Sequence, residues 1–551
     1  MKRYGKPLAG SLLAGAVAVA LGACSSSSSS PGSTPASTGA KSGGTITIVA
    51  GTAPLSADQG LDFTTQGLEL YGVVNTPLLT FKRGVQGVGG TQIEPGLAQS
   101  LPTVSNGGKT YTFTLRSGLH YSDGTPIKAS DVTHALERDI KIPWQAASFV
   151  SAYIAGGTAY ANGKAKTISG ITTDDAAGTI TVNLNAPFAP IVDIFALPGT
   201  APVPPSTPMK NLAGTGTIGD GPYKWGPITA GQTYTLVKNP RFDVPGQPRG
   251  HADTIVYKVN SNVLADAEQV LSNQADVFDP GDLLPASILQ QVKSQAGDRY
   301  QPIATNSTFY FWFGITQKPF NNLYARQAVL AALDLRALSR LASGAISPDC
   351  HLIPPGIDGN SPLSTCPYHS PTGPPNMTTA KQLMQKSGMI GQPVTVYGEE
   401  RAPRRQYLDY FTSVLNSLGF KATEKVVNSS VYFTTIGAPT LKPQVGWGDW
   451  VQDFPNPWDF MQLFAGNAGS SLNYGYVNDA HYNSTLNTLF QSDPKTVASQ
   501  WSALDNYAVN KGYYAAFGHF QFPKFYSDRL NFSAGVMSVE YQTDMTSLEL
   551  K

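Results

Sequence analysis

Residues 95–138 read PGLAQSLPTVSNGGKTYTFTLRSGLHYSDGTPIKASDVTHALER. Within them Tyr111-Thr112-Phe113-Thr114-Leu115 alternates apolar and polar side chains, the period of a half-buried strand. Asp123-Gly124 supplies a tight turn. Ser130 stands where it can cap a helix whose Val132, Ala135, Leu136 and Ile140 share one face. The same grammar extends outward. Thr45–Ala50, Thr179–Leu184 and Thr233–Val237 read as further strands. Leu330, Leu333, Ala337, Leu338 and Leu341 share a helical face, as do Leu408, Phe411, Leu415 and Leu418 before Gly419. Asp493-Pro494 opens a helix carrying Val497, Trp501, Leu504 and Ala508. Strands and helices mixed along the whole chain, with no short-period repeat, imply an α/β globular body.

Composition narrows the class. The chain has 551 residues, 41% hydrophobic and 14% charged, with 55 Gly and 41 Pro. That is ample core for two to four domains with many turns, and excludes a coiled coil. A net charge of +1 argues neither for nucleic acid nor for disorder. Three cysteines exclude a disulfide-built scaffold.

At the N-terminus Lys2, Arg3 and Lys6 precede an uncharged run from Leu8 to Ala23, the layout of a secretory signal peptide. Its end, Leu21-Gly22-Ala23-Cys24, resembles the bacterial lipobox, in which the cysteine takes a diacylglycerol and becomes the first residue of a lipoprotein. The alternative is an ordinary signal peptide with an incidental cysteine. Residues 1–23 are therefore expected as signal peptide, Cys24 as the lipidated residue, and 24–43, rich in Ser, Gly, Pro and Thr, as a flexible tether. Cleavage removes three cations and no acid, taking the charge from +1 to −2. No later stretch has the roughly 20 apolar residues a membrane span needs. The body is expected outside the cytoplasm.

Enzyme motifs fail. G-x-S-x-G, H-E-x-x-H and C-x-x-C are absent, and Gly157 to Gly163 with Lys164 has the wrong spacing for a phosphate loop. The seven histidines are scattered singly. No catalytic residue, cofactor or metal ligand set is expected. Cys350 and Cys366 remain as an even pair in an oxidising compartment, so a disulfide is expected; two buried free thiols are the alternative.

The segment from Pro95 closely resembles the signature of the family 5 solute-binding proteins, the peptide and nickel class of ABC-importer receptors. Further matches follow in the family's order: Gly221-Pro222-Tyr223-Lys224, Val237-Lys238-Asn239-Pro240, Phe309-Tyr310-Phe311 with Pro319-Phe320, Arg326-Gln327-Ala328 to Asp334-Leu335-Arg336-Ala337-Leu338, and Trp450-Val451-Gln452-Asp453-Phe454-Pro455-Asn456-Pro457. The resemblance implies a two-lobe, hinged fold of the periplasmic-binding-protein kind, with an extra subdomain in lobe I. Lobe I would span 44–305, lobe II 306–519, and 520–551 would return to lobe I. The ligand would lie between the lobes, and hinge closure would present it to ABC transporter permease subunits. The protein would act as a monomer without nucleic acid, lipid-anchored at the outer face of the cytoplasmic membrane or in the periplasm.

For the site, the resemblance implies that Asp453 pairs with a peptide's α-amino group, that the backbone near Asp449 and Val451 bonds the peptide main chain, and that Trp450 and Phe454 wall the cleft. The alternative is that Asp453 caps a turn before Pro455-Asn456-Pro457 and Trp450 is core. Asn456 stands where relatives often carry an acid, and Trp447 and Trp458 add aromatic surface, which also suits sugars. Arg401, Arg404 and Arg405 lie where relatives place carboxylate-binding arginines; a solvated surface cluster is the alternative. A peptide is the expected ligand, with an oligosaccharide, nickel chelate or haem as alternatives on the same fold, and a secreted hydrolytic enzyme as the rival class.

Overall fold

A computed structural model describes residues 43–85, 90–281, 283–438, 440–466, 472–531 and 543–551. The expected signal peptide, Cys24 and the tether up to residue 42 lie outside the described residues.

Thr45–Ala50 forms a strand at the heart of a six-stranded sheet because its alternate side chains Ile46 and Ile48 are fully buried. Across that sheet the order is Phe525–Tyr526, Val277–Asp279, Thr45–Ala50, Thr254–Val259, Thr233–Lys238, Tyr223–Thr229. Thr45–Ala50 runs parallel to both of its neighbours. A second sheet is built around Ser307–Phe313, in the order Ile303–Ala304, Tyr514–Phe522, Ser307–Phe313, Val445–Val451, Pro393–Glu399, Lys421–Val427, with Ile346–Ser347 also pairing to Tyr514–Phe522. Every residue of Ser307–Phe313 is buried, which explains the unbroken aromatic run Phe309 to Phe313: a strand covered on both faces has no polar side.

Its neighbour, Val445–Val451, places Gly446 opposite Trp312 and Gly448 opposite Tyr310. A Cβ at Gly446 would lie 2.5 Å from the Trp312 ring, and one at Gly448 3.0 Å from that of Tyr310. The glycines make room for the rings.

The opening segment builds a third layer. Thr110–Thr114 is a central strand of an antiparallel sheet with Thr103–Ser105, Thr179–Asn183 and Ile171–Asp174. The helix Ala129–Lys141 covers it, burying Val132, Ala135 and Leu136. Ser130 is not the cap. The Asp131 carboxylate accepts the Lys128 N–H at 3.0 Å, while the Ser130 hydroxyl donates to Asp175 at 2.9 Å. An acid three residues into the helix reaches back more effectively than a hydroxyl inside the first turn. The run Leu330–Leu341 also differs from a single helix: Asp334 accepts the N–H groups of Arg336 and Ala337 and so starts a second helix, Leu335–Leu341, after Leu323–Ala332. Gly157–Ala161, at the start of the stretch whose spacing fails as a phosphate loop, forms a short helix.

The chain leaves the first sheet after Asp279 and returns to it at Phe525. The crossing segments are tied together: Gln301 N–H donates to the Lys524 carbonyl at 2.9 Å and Thr305 N–H to the Phe520 carbonyl at 3.0 Å. Lys524 is fully buried, 2.7 Å from Glu69 and 3.2 Å from Asp279. No helix among the described residues is long and apolar enough to cross a membrane.

Candidate ligand-binding site

At the end of Val445–Val451 the chain turns through residues 452–456 into the helix Pro457–Met461. Asn456 caps that helix, its side-chain oxygen accepting the Trp458 N–H at 3.0 Å. Asp459, fully buried, organises the turn from beneath. It accepts the Trp450 indole N–H at 3.0 Å, the Asp453 N–H at 2.8 Å and the Gln462 amide at 3.3 Å. Asp453 itself lines a cavity of about 360 Å³.

That cavity has two walls drawn from distant sequence. Trp450, Asp453, Trp458 and Gln462 face Phe63, Gln145, Phe149 and Tyr153. Among its described lining residues there is no lysine, arginine or histidine. Desolvation pushes the Asp453 carboxyl up to about 7, the hydrogen bond with Asp459 acting against it. Burial first, and then the Asp453 charge, raise Asp459 well above the usual carboxylate range. Phe454 is fully buried behind this wall, edge-on to Phe149 at 5.3 Å and stacked on Trp458 at 6.1 Å. Trp447 is core: it stacks on Tyr432 with centroids 5.5 Å apart.

A second cavity, about 200 Å³, lies on the other side of the strand end. Arg401, Arg404, Asp449 and Val451 face Thr65, Gln66 and Gly281 across it. Arg404 is buried, 3.6 Å from Glu399 and 3.8 Å from Asp449, with its guanidinium 5.8 Å from the Phe309 ring centre. Arg401 is half-exposed and lies 3.0 Å from Glu399. Arg405 leaves this group and pairs on the outside with Asp409, at 2.6 Å, and with Glu424. The three neighbouring arginines thus divide, because successive positions at a helix start point in different directions.

Between the cavities runs a strand whose second edge, among the described residues, is laddered at Val445 and Gly446. Val445–Val451 pairs along its whole length with Ser307–Phe313 but with Pro393–Glu399 only at Val445 and Gly446. Asp449 and Val451 lie on the stretch beyond, and Val451 is 45% exposed. An extended chain laid here could take backbone hydrogen bonds as an added strand, with a carboxylate-lined cavity at one end and an arginine-lined one at the other.

The residues missed in the sequence are Asp459, Glu399 and the aromatic wall Phe63, Phe149 and Tyr153. Asp459 had a local signal: it sits two residues after a first-turn proline. The aromatic wall lies 300 or more residues before Asp453 in sequence and carries no local mark of its role.

The Cys350 and Cys366 sulfurs are bonded at 2.00 Å. Donor atoms of Asp349, His351 and both cysteines lie within 4.8 Å of one another. The sulfurs bind each other, and His351 Nδ1 is 2.8 Å from Asp349, so the group as it stands offers no thiolate to a metal. Burial alone would raise Asp349, but hydrogen bonds from His351 and His519 hold it well below the usual carboxylate range.

The family description "Bacterial extracellular solute-binding proteins, family 5 Middle" matches residues 92–471. Among characterised proteins, the chain is 24% identical over 432 residues to the dipeptide-binding protein DppE of Bacillus subtilis, covering 76% of this chain and 77% of the relative. It is 27% identical over 333 residues to the glutathione-binding protein GsiB of Escherichia coli, covering 59% of each. Among solved structures, clavulanic acid biosynthesis oligopeptide binding protein 2 superimposes with a TM-score of 0.82 at 20% identity, covering 93% of this chain and 96% of that one. The likeness bears out the two-lobe α/β fold.

Proposed function

This chain belongs to the bacterial extracellular solute-binding proteins of family 5, and from that membership we propose that it captures short peptides between its lobes and delivers them to the permease of an ABC importer. The observation that carries the reading is Asp453, an acid in the lining of an aromatic cavity whose described lining holds no cation. An α-amino group supplies the missing charge, and Trp450, Phe149 and Tyr153 supply a face that favours an ammonium. The strand edge near Asp449 and Val451 offers the main-chain hydrogen bonds, and Arg401 and Arg404 offer guanidinium groups to a carboxylate at the far end. The names of the relatives, dipeptide-, glutathione- and oligopeptide-binding, point to the same ligand class.

Lobe I is assigned to 44–305, lobe II to 306–519 and the return to 520–551, with closure about the paired crossings near Thr305 and Phe520. Cys24 is the anchor, holding the receptor at the outer face of the membrane by several acyl chains. The protein binds its solute and does no chemistry on it.

Calorimetric titration with alanine di- to pentapeptides, free and N-acetylated, tests the reading. Asp453→Asn leaves a buried ammonium unpaired and should weaken binding of the free peptides by about 2–5 kcal/mol. Acetylation should do the same to the wild type. If neither change weakens binding by more than about threefold, under 1 kcal/mol, Asp453 is not the amine site.

A further inference from the structure

Asp459 has more to do than hold a turn. Its carboxyl lies directly behind Asp453: one oxygen accepts both the Asp453 N–H and the Trp450 indole N–H, the other the Gln462 amide. The Asp453 carboxyl in turn makes a side-chain hydrogen bond with Asp459, so two carboxyls meet in a buried place. Among the described lining residues no cation compensates them. Tyr153, on the opposite wall, is neutral, its hydroxyl pushed up to about 12 by desolvation. Asp193 is another acid, reached through Asn456. Asp449 belongs to the neighbouring cavity, where it lies 3.8 Å from Arg404. Two like charges in hydrogen-bond contact, out of water, cannot both be ionised at neutral pH.

We propose that Asp459 and Asp453 together form a two-carboxyl cation receptor, in which the ligand's ammonium takes the place of a proton that the empty pair shares. This rests on the peptide reading above and deepens it. The exchange balances: the empty site holds one carboxylic acid and one carboxylate, the ammonium enters with its charge, both carboxyls become carboxylates, and the proton goes to solvent. Asp453 touches the ammonium. Asp459 is the positioning residue that holds Trp450 and Asp453 in place and supplies the second charge.

The sign follows directly. Binding is opposed by protons, so affinity rises with pH until the pair is ionised in the empty protein, and then falls when the peptide's own amine, near pH 8, loses its proton. A neutral ligand would show neither limb.

Titration calorimetry of the full chain with trialanine, in two buffers of different ionisation enthalpy, counts the protons released. In Asp459→Asn an amide oxygen still serves the Trp450 and Asp453 donors, so the turn is kept and only the charge is lost. At about pH 7.5 the wild type should release about half a proton or more per peptide in excess of that variant, and its affinity should fall about tenfold per pH unit on acidification where the variant's changes less. N-acetyl-trialanine should release none. Equal proton counts and equal pH slopes in the two proteins would overturn the shared proton while leaving Asp453 as the amine site. Failure of trialanine to bind at all would overturn the peptide reading and this inference with it. Should the variant not fold, the wild-type count alone decides: no release between about pH 6 and 7.5 refutes the exchange.

Discussion

The side-chain amide of Asn456 donates to the Asp193 carboxylate at 3.0 Å, joining the turn that carries Asp453 to a segment more than 260 residues earlier. Phe188 meets Trp458 edge-on at 5.2 Å beside it, and the Ala189 N–H donates to the Phe490 carbonyl at 3.0 Å. These contacts bridge the aromatic cavity's two walls. An acid at position 456 would oppose Asp193 with a like charge, and an amide completes the contact instead.

Asp193 is buried, and desolvation pushes its carboxyl up to about 7. Its folded value lies above the unfolded value of about 3.9, so the neutral form favours folding: the full contribution is present below about pH 4 and is lost as pH rises through 7. Asp193→Asn keeps an oxygen for Asn456 and removes the charge. Thermal melting should show the variant more stable than wild type at pH 8, by at most about 4 kcal/mol, with the gain gone at pH 4. A gain independent of pH would contradict this.

Arg401 and Arg405 are near in sequence and face different surroundings. Arg401→Gln should weaken peptides with a free C-terminus about tenfold, or 1.4 kcal/mol, and leave C-amidated peptides unaffected. Arg405→Gln, whose partners Asp409 and Glu424 lie on the outside, should alter neither. Parallel titrations with both peptide forms separate the outcomes.

The Cys350–Cys366 bond closes a loop with a sequence separation of 16. Replacing both with serine should cost about 3 kcal/mol by releasing chain entropy to the unfolded state. Chemical denaturation of the double variant measures this. Labelling of both cysteines in the untreated wild type would show that the bond is not formed.

Cys24→Ala removes the sulfur that would carry the lipid. Membrane fractionation should find the variant released or unprocessed, and unchanged retention in the membrane fraction would leave the anchor elsewhere.

Local periodicity was enough for the elements themselves. Tyr111–Thr114 fell within the strand Thr110–Thr114, and Val132, Ala135 and Leu136 became a buried helical face, because the side chains that alternate or recur in sequence are those that share a surface once the backbone hydrogen bonds form. The five ordered family motifs carried the two-lobe fold. Details that hinge on side-chain reach were less legible: Asp131 took the capping role read for Ser130, and Asp334 split one helix into two.

The amino-acid sequence by itself therefore determined the α/β class, the family and the turn bearing Trp450 and Asp453. Tertiary structure alone decided what faces that turn. Phe63, Phe149 and Tyr153 reach it from segments 300 or more residues before Asp453 in the chain, Asp459 comes up beneath Asp453, and Arg404 turns inward while Arg405 turns out. A chain's local pattern records which side of an element is buried, whereas the partner on that side is set by long-range packing between segments hundreds of residues apart.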